Sequence, residues 1–183
     1  MKLRKSKARD LSNVIEILYE NSKWMESKGI FQWPLDWLKY QESGITEEVK
    51  SGNFYIHETT ESVLGILHLT EEMNPLWKGR SSRAFYLSKI AVRLKNRKQN
   101  IGGRMIKAIE SKAEKSGICA LRLDCVSSNQ KLKEYYQSKG FAFVTRKDLP
   151  EVSLDLYEKK LKSEPADGGN AYGAPHLDVS NNE

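Results

Sequence analysis

The chain has 183 residues, 39% hydrophobic and 30% charged. That suits one domain of ordinary size with a real core, and its apolar runs fall short of the roughly 20 residues a membrane-spanning helix needs. The formal charge of +6 favours an anionic partner, either nucleic acid or a polyphosphate ligand. The basic start, Met1 to Lys5, is not followed by an apolar segment, so a cytosolic protein is expected rather than a secreted one.

Leu3 to Lys7 reads as a first strand, with Asp10 or Ser12 as cap of the next helix. Leu11, Val14, Ile15, Leu18, Tyr19, Ser22 and Met25 keep the three-to-four spacing of an amphipathic helix, which Gly29 breaks. Ile30 to Pro34 is an aromatic loop closed by proline, and a second helix is expected over Leu35 to Lys50. The period then changes. Phe54 to His57 and Val63 to Leu69 suggest a hairpin. A loop from Asn74 to Ser82 precedes a strand over Ala84 to Val92, whose apolar residues are Phe85, Leu87, Ile90 and Val92.

Ile101 to Lys115 is the most regular helix, with Ile101, Met105, Ile106, Ile109 and Ala113 on one side and Gly117 as its stop. Cys119 to Val126 reads as a strand, Asn129 or Gln130 opens a helix that Gly140 closes, and Phe141 to Thr145 and Val152 to Glu158 read as two final strands. Alternating strands and helices imply an α/β (α+β) class with a mixed sheet. The boundaries expected are one domain over residues 1–162 and a flexible tail over 163–183, rich in Gly, Pro, Asn, Ala and Asp. Cys119 and Cys125 share a strand face and read as two buried free thiols. His57, His68 and His176 show no metal-ligand spacing, so no metal site is expected.

The informative segment is Ile90 to Arg104: a strand end, a basic loop, small residues and a helix start. A helix N-terminus offers unpaired N–H groups and the positive end of the helix dipole, which together hold anions. Gly102 and Gly103 admit close backbone approach, and Asn100 tolerates a left-handed conformation better than most residues. Arg93, Lys95, Arg97, Lys98 and Arg104 add positive charge. The bland alternative is an ordinary basic turn. The segment is neither a nucleoside-triphosphate loop nor a dinucleotide fingerprint.

Arg97-Lys98-Gln99-Asn100-Ile101-Gly102 resembles motif A of the GNAT superfamily of acyl-CoA-dependent N-acetyltransferases, Arg/Gln-x-x-Gly-x-Gly/Ala, with Asn100 where that motif has its first glycine. One strand later, Asn129 to Phe141 resembles motif B: Asn, a short helix, an aromatic-Tyr pair, then Gly-Phe. The resemblance spans about Leu3 to Leu161. It implies a twisted central sheet of six to seven strands flanked by about four helices. It also implies transfer of an acetyl group from acetyl-CoA to a primary amine by direct attack in a ternary complex.

Residue by residue, it implies that main-chain groups of Ile90, Ala91 and Val92 meet the pantetheine arm. N–H groups of Lys98, Gln99, Asn100, Ile101, Gly102 and Gly103 would hold the pyrophosphate of coenzyme A, with Arg97 and Arg104 nearby. Asn129 would bond the pantetheine arm, cap its own helix, or both. Tyr136 would protonate the departing thiolate, and Tyr135 would be core. The amine needs a base. Glu71, Glu72 and Asp124 are the carboxylates considered, and Glu72 is taken first. Trp24, Phe31 and Trp33, with Trp37, read as the wall of an acceptor site or as core, and Trp77 as part of a lid. The acceptor is a small-molecule or peptide amine, with no membrane partner, and a homodimer is left open. The competing readings are a basic nucleic-acid-binding domain and a non-catalytic acyl-CoA-binding module.

Overall fold

A computed structural model describes residues 2–72, 74–80 and 83–161; the tail expectation for 163–183 lies outside the described residues. Seven strands form one sheet: β1 (Lys2–Lys5), β2 (Phe54–Glu58), β3 (Val63–Thr70), β4 (Ala84–Val92), β5 (Ala120–Val126), β6 (Ala142–Asp148) and β7 (Ser153–Lys160). Their order across the sheet is β1-β2-β3-β4-β5-β7-β6, and the β4–β5 pair alone is parallel. The helices are α1 (Leu11–Glu26), α2 (Leu35–Lys50), α3 (Ile101–Lys115) and α4 (Gln130–Ser138).

The apolar stripes read from the sequence decide which face each helix covers. On α3, Ile101, Met105, Ile106, Ile109 and Ala113 pack with α4's Tyr136 against Tyr55, Leu67, Phe85, Leu87 and Tyr157. On the opposite face, α1 and α2 bring Val14, Ile17, Leu18, Leu38, Ile45 and Val49 onto Phe54, Ile56, Ile66 and Ala91. The result is three layers, helices on both faces of a mixed sheet. Asp10 stands at the N-cap of α1 without a side-chain cap bond. Its carboxylate instead accepts from Lys7 N at 2.7 Å and from the Arg4 fork at 2.7 and 2.9 Å.

Two departures from the regular sheet shape the site. First, β4 and β5 pair only over Ala84↔Ala120, Phe85↔Leu121 and Tyr86↔Arg122, after which both strands continue apart. At this vertex Arg122, 1% exposed at its side chain, donates to Glu158 Oε2 at 2.9 Å and to Tyr86 Oη at 3.0 Å, and lies over the Trp77 ring. Trp77 is thus buried against Tyr86 and Arg122, which corrects its expected place in a lid. Second, β4 carries a bulge. His68 pairs with Ser88 but Ile66 pairs with Ala91, so two steps on β3 oppose three on β4. Lys89 absorbs the extra residue with φ +48°. The step of three from Leu87 to Ile90 in the apolar pattern is this bulge, and it keeps both side chains on the α3 face. The cysteines also differ from expectation. Cys119 precedes β5 and is exposed, while Cys125 is buried, its thiol pushed up to about 12 by burial.

Candidate functional site

The separation of β4 from β5 opens a cavity of about 1280 Å³. One wall is Leu87 to Ile90 of β4; the other is Asp124, Val126 and the turn Ser127 to Asn129. The α1–α2 loop and the β6–β7 turn border it as well, through Gln32, Trp33 and Leu149.

The α3 N-terminus stands beside this cavity. Asn100, its N-cap, takes φ +53°, ψ +27°, and Lys98 takes φ +64°. Asparagine therefore supplies the left-handed turn that glycine supplies in the resembled motif. The first intrahelical bond runs from Arg104 N to Asn100 O, and the N-cap side chain makes no cap bond. The N–H groups of Ile101, Gly102 and Gly103 therefore point out of the helix start. Two left-handed residues spaced by one bend those N–H groups into a concave anion nest. A Cβ at Gly102 would lie 2.7 Å from Tyr135 Oη, and one at Gly103 would collide with Asn100 Oδ1. A larger residue at either position would have to displace the Tyr135 or Asn100 side chain.

The charges expected at this spot disperse. Arg93 reaches back to α1, donating to Asn13 Oδ1 at 2.7 Å and Glu16 Oε2 at 2.9 Å. Arg97 stacks on the Trp24 ring, 3.5 Å from its centroid, and lines the cavity rather than the nest. Arg104 acts electrostatically on His57 of β2. The cation found at the nest is one the sequence reading missed: Lys139 Nζ donates to Asn100 Oδ1 at 3.4 Å and lies 5.4 Å from the Tyr135 ring centre. Tyr135 packs against the core, and it also has its hydroxyl over the α3 start and lines the cavity. Sequence distance hid both, since α4 meets α3 only in the folded chain.

Of the residues expected at a cofactor, Ile90, Arg97, Asn129 and Tyr136 line the cavity. Lys98, Gln99, Asn100, Ile101, Gly102, Gly103 and Arg104 lie outside it; the Ile101 side chain is core. Ala91 turns its side chain to the α1–α2 face, and Val92 O accepts from Asn21 Nδ2 at 3.0 Å. Asn129 caps α4, its Oδ1 accepting from Leu132 N at 3.2 Å. Its Nδ2 donates to Gln32 Oε1 at 3.4 Å, an atom that also accepts from Val126 N at 3.2 Å. Tyr136 is 6% exposed, ringed by Tyr135, Phe141 and Tyr157. Burial pushes its phenol far above the ordinary tyrosine range, so the proton stays on oxygen at any working pH.

Trp24, Phe31 and Trp33 all line the cavity, as does Trp37. Phe31 is 68% exposed, which sets the group at a rim and not in a sealed core. Glu72 is the expectation the structure corrects. β3 ends at Thr70, and Glu72 is exposed, its N–H donating to Thr70 Oγ1 at 3.0 Å. It lies at the joined end of β4 and β5, outside the cavity lining. Glu71 pairs with Arg83 at 3.5 Å. Asp124 does line the cavity, its carboxyl pushed up by burial and pulled down by Lys89. Lys89, re-aimed by the bulge, lies 5.7 Å from the Trp37 ring centre, and burial lowers its ammonium. Among the described residues no cluster of His, Cys, Asp and Glu forms a metal site, and no helix is long and apolar enough to cross a membrane.

A sequence model of the acetyltransferase (GNAT) family matches residues 16–141, more than half of the chain. The chain belongs to the GNAT family of acetyltransferases. It is 24% identical over 161 residues to the uncharacterized N-acetyltransferase YesJ of Bacillus subtilis, covering 85% of this chain and 87% of that one. A GNAT-family acetyltransferase structure from Listeria monocytogenes matches with a TM-score of 0.75 at 22% identity, covering 87% of this chain and 94% of the other. The PaiA N-acetyltransferase of Thermoplasma acidophilum, solved with coenzyme A, matches with a TM-score of 0.65 at 19% identity, covering 87% and 98%. The overall fold is thus shared with GNAT proteins of low sequence identity.

Proposed function

We propose that the protein transfers an acetyl group from acetyl-CoA to a primary amine, with both substrates bound together in the cleft between β4 and β5. The observation that carries this is the placement of a backbone anion nest at the α3 start beside a cavity lined by Tyr136. The residues present fit acetyl-CoA. Ile101, Gly102 and Gly103 N–H groups suit its pyrophosphate. The free edge of β4 beyond Tyr86 and the Asn129 amide suit the pantetheine arm. When bound, acetyl-CoA supplies the activated acetyl group. Tyr136 keeps a proton on its oxygen for the departing sulfur, and the aromatic rim of Trp24, Phe31 and Trp33 receives the amine.

The base role does not fall to Glu72, which stands outside the cavity lining. The nucleic-acid alternative is weakened, because Arg93 and Arg97 of the basic run are engaged with α1. The test is a melting curve with acetyl-CoA, followed by thiol release with a panel of amines. A ligand that binds only the native state raises Tm. No shift at millimolar acetyl-CoA would overturn the reading.

A further inference from the structure

His68 of β3 and Ser88 of β4 stand directly opposite in the sheet, on the face covered by α1 and α2. Ser88 Oγ lies 3.0 Å from His68 Nδ1, and His68 Nε2 lies 3.1 Å from Glu48 Oε2 on α2. Asn53 Nδ2 donates to the same Glu48 oxygen at 2.6 Å. One end of this chain opens on the cavity, where Ser88 is part of the lining beside Lys89 and Asp124. The other end reaches solvent: the Glu48 side chain is 44% exposed, the His68 side chain 13%.

The hydrogen directions follow from the chemistry. An ionised carboxylate only accepts, so His68 carries its hydrogen on Nε2 and Nδ1 accepts from the Ser88 hydroxyl. Burial pushes the Glu48 carboxyl up but Asn53 and His68 hold it below its usual range; burial, with Lys89, holds the His68 imidazole below its own against the pull of Glu48. A neutral, accepting imidazole therefore backs a hydroxyl that faces the acceptor space.

We infer that Ser88, His68 and Glu48 form the path by which the acceptor amine loses its proton. This rests on the acetyltransferase reading above. The ammonium gives a proton to Ser88 Oγ as the Ser88 hydroxyl proton passes to His68 Nδ1. The net change is one ammonium and one imidazole becoming one amine and one imidazolium, with no bond to carbon made or broken. Glu48, beside Nε2, steadies the imidazolium and leads the proton to solvent. Ser88 acts on the reacting amine; His68, which works through the Ser88 hydroxyl, and Glu48 are positioning residues. The charged groups acting on His68 are Glu48 from α2 and Lys89 from β4, and Lys89 in turn feels Asp124 of β5.

The experiment measures thiol release from acetyl-CoA with spermidine, free lysine, a tetrapeptide with a free N-terminus, and an aminoglycoside, across pH 6 to 10. In Ser88→Ala and His68→Gln, kcat at neutral pH falls about 10²-fold while KM for acetyl-CoA holds. The loss shrinks as pH rises toward the amine's own pKa, because the free base then forms without help. Ser88→Thr, which keeps the hydroxyl, retains most of the rate. A loss of equal size at every pH means a structural role and overturns the relay, as does an unchanged rate and pH profile. Nitrogen-15 shifts of His68 decide separately from turnover: a hydrogen on Nδ1 at pH 7.5 overturns it. A wild-type enzyme that releases no thiol with any of the four amines sinks the acetyltransferase reading, and the relay with it.

Discussion

The two flanks of the cleft are built by different means. On the α3 flank the binding groups are backbone N–H groups, set by one contiguous run from Lys98 to Gly103. On the α1–α2 flank they are side chains from four separate segments: Glu48, His68, Ser88 and the Trp24 to Trp37 rim. A backbone site needs only the right conformation locally, so it tolerates Asn100 in place of glycine. A side-chain site exists only when distant elements dock correctly, so it is sensitive to anything that shifts the sheet.

The largest effect is expected at the vertex both flanks share. Glu158→Ala leaves Arg122 buried beside a lost carboxylate, and the cost is about 4 kcal/mol, read from urea unfolding. A loss under about 1 kcal/mol would mean that the other contacts of Arg122, Tyr86 and Trp77 among them, hold the guanidinium without it. Next comes Tyr136→Phe, which preserves the packed ring and removes the proton. Turnover falls about 10²-fold with affinity for acetyl-CoA unchanged; equal turnover takes Tyr136 out of the chemistry.

The contrast between backbone and side chain is tested most directly on the α3 flank. Gly102→Val crowds the nest and Tyr135, and weakens acetyl-CoA binding about tenfold, or ~1.4 kcal/mol. Gln99→Ala, one turn position away, changes it less than about twofold; calorimetric titration showing the reverse order would break the comparison. Asn129→Ala removes the α4 cap and costs about 1 kcal/mol of stability.

The smallest effect is a pH slope. His57 is buried, neither ring nitrogen has a hydrogen-bond partner among the described residues, and burial with Arg104 lowers its pKa. The unfolded chain then takes a proton near pH 6.5 before the folded chain does, so stability is full above about 6.5 and declines as pH falls below it. His57→Phe should flatten the unfolding midpoint between pH 7.5 and 5.5. A slope that survives belongs to His68, which is shifted the same way.

These flanks also differ in how far the sequence discloses them. The bounds of α2 and α3 follow from helical pattern and the glycines after them, because each buries one stripe, and β4 follows from its apolar run, because it is buried on both faces. Asn129, Tyr136 and the α3 start are legible for a related reason: each is a local motif with a local geometry. Lys139 at the nest and the His68–Ser88–Glu48 chain are not, because no spacing along the chain encodes a contact between α4 and α3, or between α2 and two strands. Glu72 shows the converse error. A carboxylate at a strand end looks catalytic by position, but the strand leaves the sheet at the joined end of β4 and β5.

The bulge at Lys89 has a bearing on which changes this strand can survive. Leu87 and Ile90 share one face across an odd step, and Ser88 and Ala91 share the other. Drawing Lys89 into the regular ladder would turn everything after it by half a rotation: Ile90 and Val92 would then confront α1, and Ala91 would confront α3. Deleting Lys89 would instead leave Ile90, Ala91 and Val92 on their present faces and remove only the extra residue and its local twist. The inside and outside of this strand therefore depend on one residue's conformation as much as on the letters in it.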